Sequence, residues 1–166
     1  MNGRTTAITV FSLLCATCVA HAIWYYPRLP EVVAQHFNAS GQPDAWGVKA
    51  NFLTAYLVAV GVVAVTFLGL GLLLSKIPDG AINLPNKDYW LAPERRQKTL
   101  DSLLSPMLWF GSLTMLLLLD IFHQSLLVNL GQATKLNHAG ISTGAYLLAT
   151  AAWLVAFYRR FRKKES

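Results

Sequence analysis

The sequence predicts an all-α membrane protein: a four-transmembrane-helix bundle with a short structured extracytoplasmic loop and a cytoplasmic interfacial helix. Its hydrophobic fraction is 54% and its charged fraction only 13%, against about 25% charged residues in soluble domains. Several apolar runs reach the roughly 20 residues that a helix needs to cross a bilayer. The basic residues cluster at the ends of these runs, which is typical of membrane topology and excludes a nucleic-acid partner.

Four runs qualify as spans, and together they predict a single membrane domain over residues 1–166. The second run contains no charged residue, and the third is interrupted by Asp120 and His123. Each run is too long and too apolar for an ordinary surface helix. The predicted transmembrane helices occupy approximately residues 6–26, 52–74, 103–127 and 141–158.

The first run has two features that invite other interpretations. Residues 1–22 resemble a signal peptide with an Ala20-His21-Ala22 cleavage site, but the apolar run continues to Tyr26, so we expect a retained helix. Cys15 and Cys18 form a C-x-x-C pair without other Cys or neighbouring His, so we interpret them as packing residues.

The distribution of Lys and Arg predicts the orientation. Only Arg28, Lys49 and Lys135 lie on one side of the predicted spans. Because cytoplasmic loops carry an excess of basic residues, both termini and the middle loop are predicted to be cytoplasmic. The remaining eleven basic residues all lie on that side: Arg4, Lys76, Lys87, Arg95, Arg96, Lys98, Arg159, Arg160, Arg162, Lys163 and Lys164.

The outer loop, residues 27–50, carries the densest pattern of special residues. Strand-forming residues are followed by turn formers, which predicts an extended segment, a tight turn and a return into the second helix. The polar and aromatic residues of this loop are either ligand-binding residues or turn and capping residues, with Trp46 as an interface anchor. The candidate binding residues are His36, Phe37, Asn38, Gly41, Asp44, Trp46 and Lys49.

The cytoplasmic loop, residues 75–102, is basic. Pro93 suits the first turn of a helix, and we expect an interfacial helix from Pro93 to Leu103 that meets anionic lipid head groups. Ser105-Pro106 would then start the third span separately. The loop is also the predicted docking surface for a cytoplasmic protein partner, through Asn86, Lys87, Asp88, Tyr89, Trp90, Arg95 and Arg96.

Small residues recur along one face of the fourth span. Such a stripe allows close approach between helices. We expect packing inside the bundle, with homo-oligomerisation as the alternative. The stripe consists of Ala145, Ala149, Ala152 and Ala156.

Ionisable residues within spans are functional candidates because they are costly in lipid. His21, Asp120 and His123 fall at similar depths in the outer half of the predicted bundle. One hypothesis is a metal or proton-handling site, with His36, Asp120 and His123 as zinc ligands. The alternative is a polar cluster in which Asp120 pins the outer loop to the bundle, and no cofactor is expected in that case.

The motif from Leu29-Pro30 through His36-Phe37-Asn38, Gly41, Pro43-Asp44 and Trp46-Gly47 to Lys49 resembles a known bacterial membrane family, domain of unknown function 1648. Its hallmark reads roughly L-P-x(5)-H-F-N-x-x-G-x-P-D-x-W-G-x-K. The segment 83–96 resembles a second block of some short members, whereas Val48 departs from the small polar residue often found before the lysine.

The resemblance implies a multi-pass protein of the bacterial plasma membrane without established enzymatic activity. The family includes longer immunity proteins against a secreted toxin peptide. We therefore expect a non-enzymatic, immunity-like protein that senses or binds a peptide or envelope component through loop 27–50 and acts through loop 75–102. The alternatives are a metal-dependent membrane hydrolase with a His/Asp site at the outer face and a small oligomeric transporter.

Overall fold

The computed structural model describes residues 3–162, without the side chain of Leu72. Four long helices and one β-hairpin make up the fold, and a short helix lies in the loop between the second and third long helices. In chain order the elements are α1 (Gly3–Tyr25), β1 (Val32–Phe37), β2 (Pro43–Val48), α2 (Lys49–Leu73), α3 (Lys87–Trp90), α4 (Pro93–Asn129) and α5 (Ala139–Arg162).

By length and composition, the four long helices could each cross a membrane, and their number equals the predicted number of spans. They alternate in direction, so the molecule has two ends. The hairpin end carries β1, β2 and the α4–α5 loop, and the basic end carries the start of α1, the loop between α2 and α4, and the end of α5. Lys163 and Lys164, which contribute to the predicted charge asymmetry, lie outside the described residues.

The core lies between α1, α2 and α4. Ala7, Phe11 and Cys18 of α1 share one helical face and are fully buried, as is Met115 of α4. Tyr56 of α2 is buried in the same cluster. The complete burial of Cys18 agrees with its interpretation as a packing residue.

Helix α4 is continuous for 37 residues, so the prediction of a separate interfacial helix from Pro93 to Leu103 is wrong. Pro106 lies inside the helix and does not end it. Leu100 and Leu103 are buried at the basic end, and Leu104 and Leu108 are buried in the core on the same face of the helix. Packing on both sides of Pro106 thus stabilises the helix across the missing backbone donor.

Helix α5 packs against α4 through aromatic side chains, so the small-residue stripe does not pack inside the bundle as predicted. Ala145, Ala152 and Ala156 are exposed. The ring of Trp153 stacks 4.9 Å from that of Phe110, and the Trp153 indole N–H donates to the Pro106 carbonyl at 3.2 Å. The large rings therefore form the inner face of α5, and three of the four alanines lie on its outer surface, with Ala149 half-buried.

Candidate functional site

The hairpin is built by the residues that the motif singles out. β1 and β2 pair antiparallel, with Val32 opposite Val48 and Ala34 opposite Trp46. At the turn the Asn38 side-chain oxygen accepts from the Ser40 and Gln42 backbone N–H groups, at 2.9 and 3.1 Å. The predicted extended segment, turn and return are confirmed, and Asn38 has a local structural role there.

An asparagine from α4 fastens the hairpin to the bundle. The Ala34 N–H donates to Oδ1 of Asn129 at 2.6 Å, and Nδ2 of Asn129 donates to the Ala34 carbonyl at 3.1 Å. Ala34 is buried, so both of its backbone groups need partners. The amide of Asn129 thus pairs with the outer edge of β1 as a neighbouring strand would.

Gly41 and Lys49 provide two further attachments. Gly41 has a φ of +77°, and its carbonyl accepts from the Leu136 N–H in the α4–α5 loop at 2.8 Å. Lys49 donates to the Leu29 carbonyl at 3.3 Å and forms an ion pair with Glu31 at 2.9 Å. Both candidate binding residues therefore hold the hairpin in place.

His36, Asp44 and Trp46 remain open to contact from outside. Nδ1 of His36 lies 2.5 Å from an Asp44 carboxylate oxygen. The two side chains are 70% and 42% exposed, and Trp46 is 61% exposed. These three side chains are therefore accessible to a ligand, whereas the oxygen of the exposed Asn38 side chain is used within the turn.

A cleft of about 380 Å³ lies between the hairpin, α2, α4 and the α4–α5 loop. Small-ligand sites typically occupy about 300–1,000 Å³ and combine apolar walls with a few polar groups. The walls of this cleft follow that pattern, and they include the motif residues His36 and Phe37. The remaining wall residues are Gln35, Asn51, Phe52, Ala55, Ile121, Phe122, Ser125 and Leu136.

The predicted intramembrane polar residues divide into two groups. Nε2 of His21 lies 3.2 Å from Nδ1 of His123, and the Tyr56 hydroxyl lies 3.5 Å from Nδ1 of His21. One imidazole must donate and the other accept, so the histidine pair joins α1 to α4 through one N–H···N hydrogen bond. Tyr56 also stacks on Phe122 at 4.2 Å, which connects this group to the wall of the cleft.

Asp120 belongs to the second group. It accepts from the Gln124 side chain at 2.7 Å, and the Gln124 oxygen accepts from the His138 backbone N–H at 2.9 Å. This chain of hydrogen bonds ties the α4–α5 loop to α4. The carboxylate therefore helps to hold the α4–α5 loop and not the outer loop 27–50 that the structural alternative named, and it acts through Gln124 instead of His123.

The structure does not bring the zinc-ligand candidates His36, Asp120 and His123 together. Each has a different partner: Asp44, Gln124 and His21, respectively. Over residues 3–162, no three His, Cys, Asp or Glu side chains converge in a way that could hold a metal ion.

Most of the predicted docking residues already form hydrogen bonds or ion pairs with other residues at the basic end. Nδ2 of Asn86 and the indole N–H of Trp90 donate to the Phe161 carbonyl at 3.3 and 2.7 Å, which caps the end of α5. Arg96 donates to Asp79 and to the Ile77 carbonyl.

Arg95 donates to the Tyr89 carbonyl, lies over its ring and pairs with Glu94. Asp88, in contrast, is exposed, and Lys87 is partly exposed. The surface of this loop that is free for a partner is therefore smaller than predicted.

Sequence reasoning missed Asn129, Gln124 and Tyr56. Asn129 and Gln124 are neutral amides near the end of an apolar helix, where their hydrogen-bonding capacity is the one available signal. Tyr56 looks like an ordinary aromatic residue of a span until the fold places its hydroxyl beside His21.

Residues 13–62 match the sequence model of a family described as Domain of unknown function (DUF1648). The match spans less than a third of the chain. The matched segment contains most of α1, the whole hairpin and the first half of α2, which confirms the resemblance seen in the motif. No curated protein and no solved structure matches the chain.

The DUF1648 match includes part of the cleft wall but not all of it. His36, Phe37 and Phe52 lie within residues 13–62, whereas Phe122 and Leu136 come from elements outside the match. The cleft therefore combines the segment that is similar to DUF1648 with the second half of this chain.

Proposed function

We propose that this chain is a non-enzymatic, multi-pass protein of the bacterial plasma membrane that binds an extracytoplasmic peptide in the cleft beneath its hairpin. Its termini and its basic end face the cytoplasm, and its hairpin end faces outward. The charge asymmetry supports this orientation because the basic residues concentrate at one end.

The cleft of about 380 Å³ is the observation on which the proposal rests. Phe37, Phe52 and Phe122 offer apolar contacts, and His36 offers a polar group at the same wall. An apolar side chain of a peptide would fill the cleft, while the peptide backbone would meet His36 and its partner Asp44. Apolar anchors in pockets carry much of the affinity in peptide recognition.

The anchoring of the hairpin supports recognition without large rearrangement. Asn129 connects the hairpin to α4, and Gly41 connects it to the α4–α5 loop. Lys49 binds the segment before β1 through the Leu29 carbonyl. A site on a fixed platform loses less conformational entropy when a ligand binds. An immunity-like role fits this proposal, since a membrane-bound receptor for a peptide can also sequester it.

The proposal does not extend to cytoplasmic docking through Arg95 and Arg96, because their donors are used within the loop. Nor does the geometry favour a hydrolase, whose three candidate ligands have separate partners. A transporter is also disfavoured: between its two ends the described core is apolar, with Phe11 and Met115 fully buried.

Selection of short phage-displayed peptides against the full chain in nanodiscs tests the proposal. We expect the selected peptides to share an apolar anchor and to bind about tenfold more weakly to Ala55→Leu, because the added side chain fills the cleft and removes about 1.4 kcal/mol of binding free energy. Ala55 is exposed and lines the cleft.

Val58→Leu is the matched control, since Val58 lies on the same helix, is 58% exposed and does not line the cleft. Equal binding of the selected peptides to Ala55→Leu and to the unmodified chain would contradict the proposal. Selection of phospholipid-like amphiphiles in a parallel lipid screen, with no peptide enriched, would replace the peptide by an envelope lipid.

A further inference from the structure

Three cations from two helices converge on a second cavity, at the basic end. The cavity measures about 310 Å³ and is lined by Arg95 and Lys98 of α4, by Arg160 of α5, and by the aromatic side chains of Trp90 and Phe161. Its lining contains no Asp or Glu. Such an arrangement concentrates positive potential over an apolar floor.

The three cations differ in how firmly they are held. Arg95 is positioned by the Tyr89 carbonyl and ring and by Glu94, which neutralises part of its charge. Lys98 and Arg160 are exposed, and neither forms an ion pair with another residue in the range 3–162. The cavity therefore retains uncompensated positive charge.

The position of the cavity along α5 indicates what fills it. Trp153 and Phe157, seven and three residues before Arg160 and therefore on its side of α5, are partly exposed, so an apolar helix surface gives way to cations at this level. A phospholipid presents its acyl chains and its phosphate in the same order. A free phosphate ion would leave the apolar surface next to the cavity uncovered, whereas the acyl chains of a phospholipid would cover it.

We propose that this cavity binds the phosphate of an anionic phospholipid from the leaflet at the basic end. Lys98 and Arg160 contact the phosphate oxygens, and Arg95 closes the site from the side of α4. Arg96, which the sequence groups with Arg95 and Lys98 at the interface, is not part of the site because it faces Asp79 and the Ile77 carbonyl. The inference is independent of peptide binding at the other end.

Native mass spectrometry of the full chain, titrated with phosphatidylglycerol, measures the site. A basic residue near an anionic membrane contributes about 1 kcal/mol, so Lys98→Gln and Arg160→Gln are each expected to weaken binding about fivefold. Lys135→Gln, which removes the same charge from an exposed position at the hairpin end, is expected to leave binding unchanged.

Two further titrations identify the source of the phosphate. Zwitterionic phosphatidylcholine is expected to bind at least fivefold more weakly than phosphatidylglycerol, and glycerol phosphate or inorganic phosphate at equal concentration is expected to displace none of the lipid. Unchanged lipid affinity in both Lys98→Gln and Arg160→Gln overturns the site. Displacement by either soluble phosphate overturns its assignment to a phospholipid.

Discussion

At the scale of single residues, side-chain amides join parts of the chain that are far apart in sequence. Asn129 supplies one donor and one acceptor in a single plane, which is what an unpaired strand residue requires. Gln124 uses the same two groups to connect Asp120 with the backbone of His138. In an apolar environment these hydrogen bonds contribute to the free energy of unfolding, because breaking one leaves a buried polar group unsatisfied.

The Asn129 contact yields a stability prediction. Asn129→Ala leaves the N–H and carbonyl of buried Ala34 without partners, and we expect a loss of about 2 kcal/mol in unfolding free energy. Thermal unfolding of the purified chain in detergent measures this loss. Asn137→Ala, at an exposed position in the neighbouring loop, is the matched control and should have no measurable effect.

A comparison of two glycines with similar backbone conformations distinguishes the cost of backbone strain from the cost of a steric clash. Gly41 and Gly131 have φ values of +77° and +71°. A Cβ at Gly41 would lie 2.7 Å from the Leu136 carbonyl oxygen, whereas one at Gly131 would meet nothing within 4 Å. We expect Gly131→Ala to cost about 1 kcal/mol from strain alone.

Gly41→Ala should cost clearly more, because the Leu136 backbone must also move. The comparison uses the same unfolding assay for both variants. Equal losses would show that the contact between the turn and the α4–α5 loop does not contribute to stability.

The motif residues could be identified from sequence because their partners are near in the chain. His36 and Asp44, like Asn38 and Gln42, belong to one hairpin, and turn-forming residues can be recognised in short segments. Asn129 could not be assigned in this way, since its partner Ala34 lies 95 residues away. The roles of such residues depend on helix packing that local patterns do not specify.

At the scale of elements, α5 is attached to the bundle by its rings. Phe110 of α4 stacks on Tyr146 and Trp153 of α5, with ring centroids 6.2 and 4.9 Å apart, and Trp90 of α3 contacts Phe161 at 5.4 Å. Small-residue patterns in lipid usually mark helix contacts, and here that rule predicted the wrong face. Large aromatic side chains, centred about 100° around the helix from the stripe, provide the packing surface instead.

Substitutions on the two faces of α5 should therefore differ. Trp153→Ala removes ring stacking and the hydrogen bond to Pro106, and we expect a loss of about 2 kcal/mol. Ala152, the residue before Trp153, is exposed, so Ala152→Leu should change the unfolding midpoint little. A larger effect of Ala152→Leu than of Trp153→Ala would contradict the assignment of the inner face.

The spans and the helix start at Pro93 were predictable as elements, but the continuity of α4 through Pro106 was not. Hydropathy and length define where the apolar runs lie, and Pro93 itself suits the first turn of a helix. Pro106 looked like a second start because local rules treat an internal proline as a boundary. Burial of Leu100 and Leu103 against the basic-end loop keeps the helix intact, and this information is tertiary.

At the scale of the whole molecule, the hairpin end and the basic end differ in charge, because the basic residues concentrate at the latter. The proposed orientation predicts that Ser40→Cys, in the hairpin turn, reacts with a membrane-impermeant maleimide in intact cells. Asp88→Cys, exposed at the basic end, should react only after the membrane is permeabilised. The unmodified chain, whose Cys15 and Cys18 lie within α1, is the background control. The reverse labelling pattern would invert the topology.

The contact between Asn129 and Ala34 also has a consequence for biogenesis. α1, the hairpin and α2 are synthesised before α4. The outer edge of β1 therefore lacks its partner until 95 further residues have been added. The Asn86 and Trp90 cap imposes a similar delay, because the carbonyl that they bind belongs to Phe161, near the end of the chain. Each half of the protein therefore completes the other, and nascent chains that stop before α4 present an unfinished hairpin to quality-control proteases.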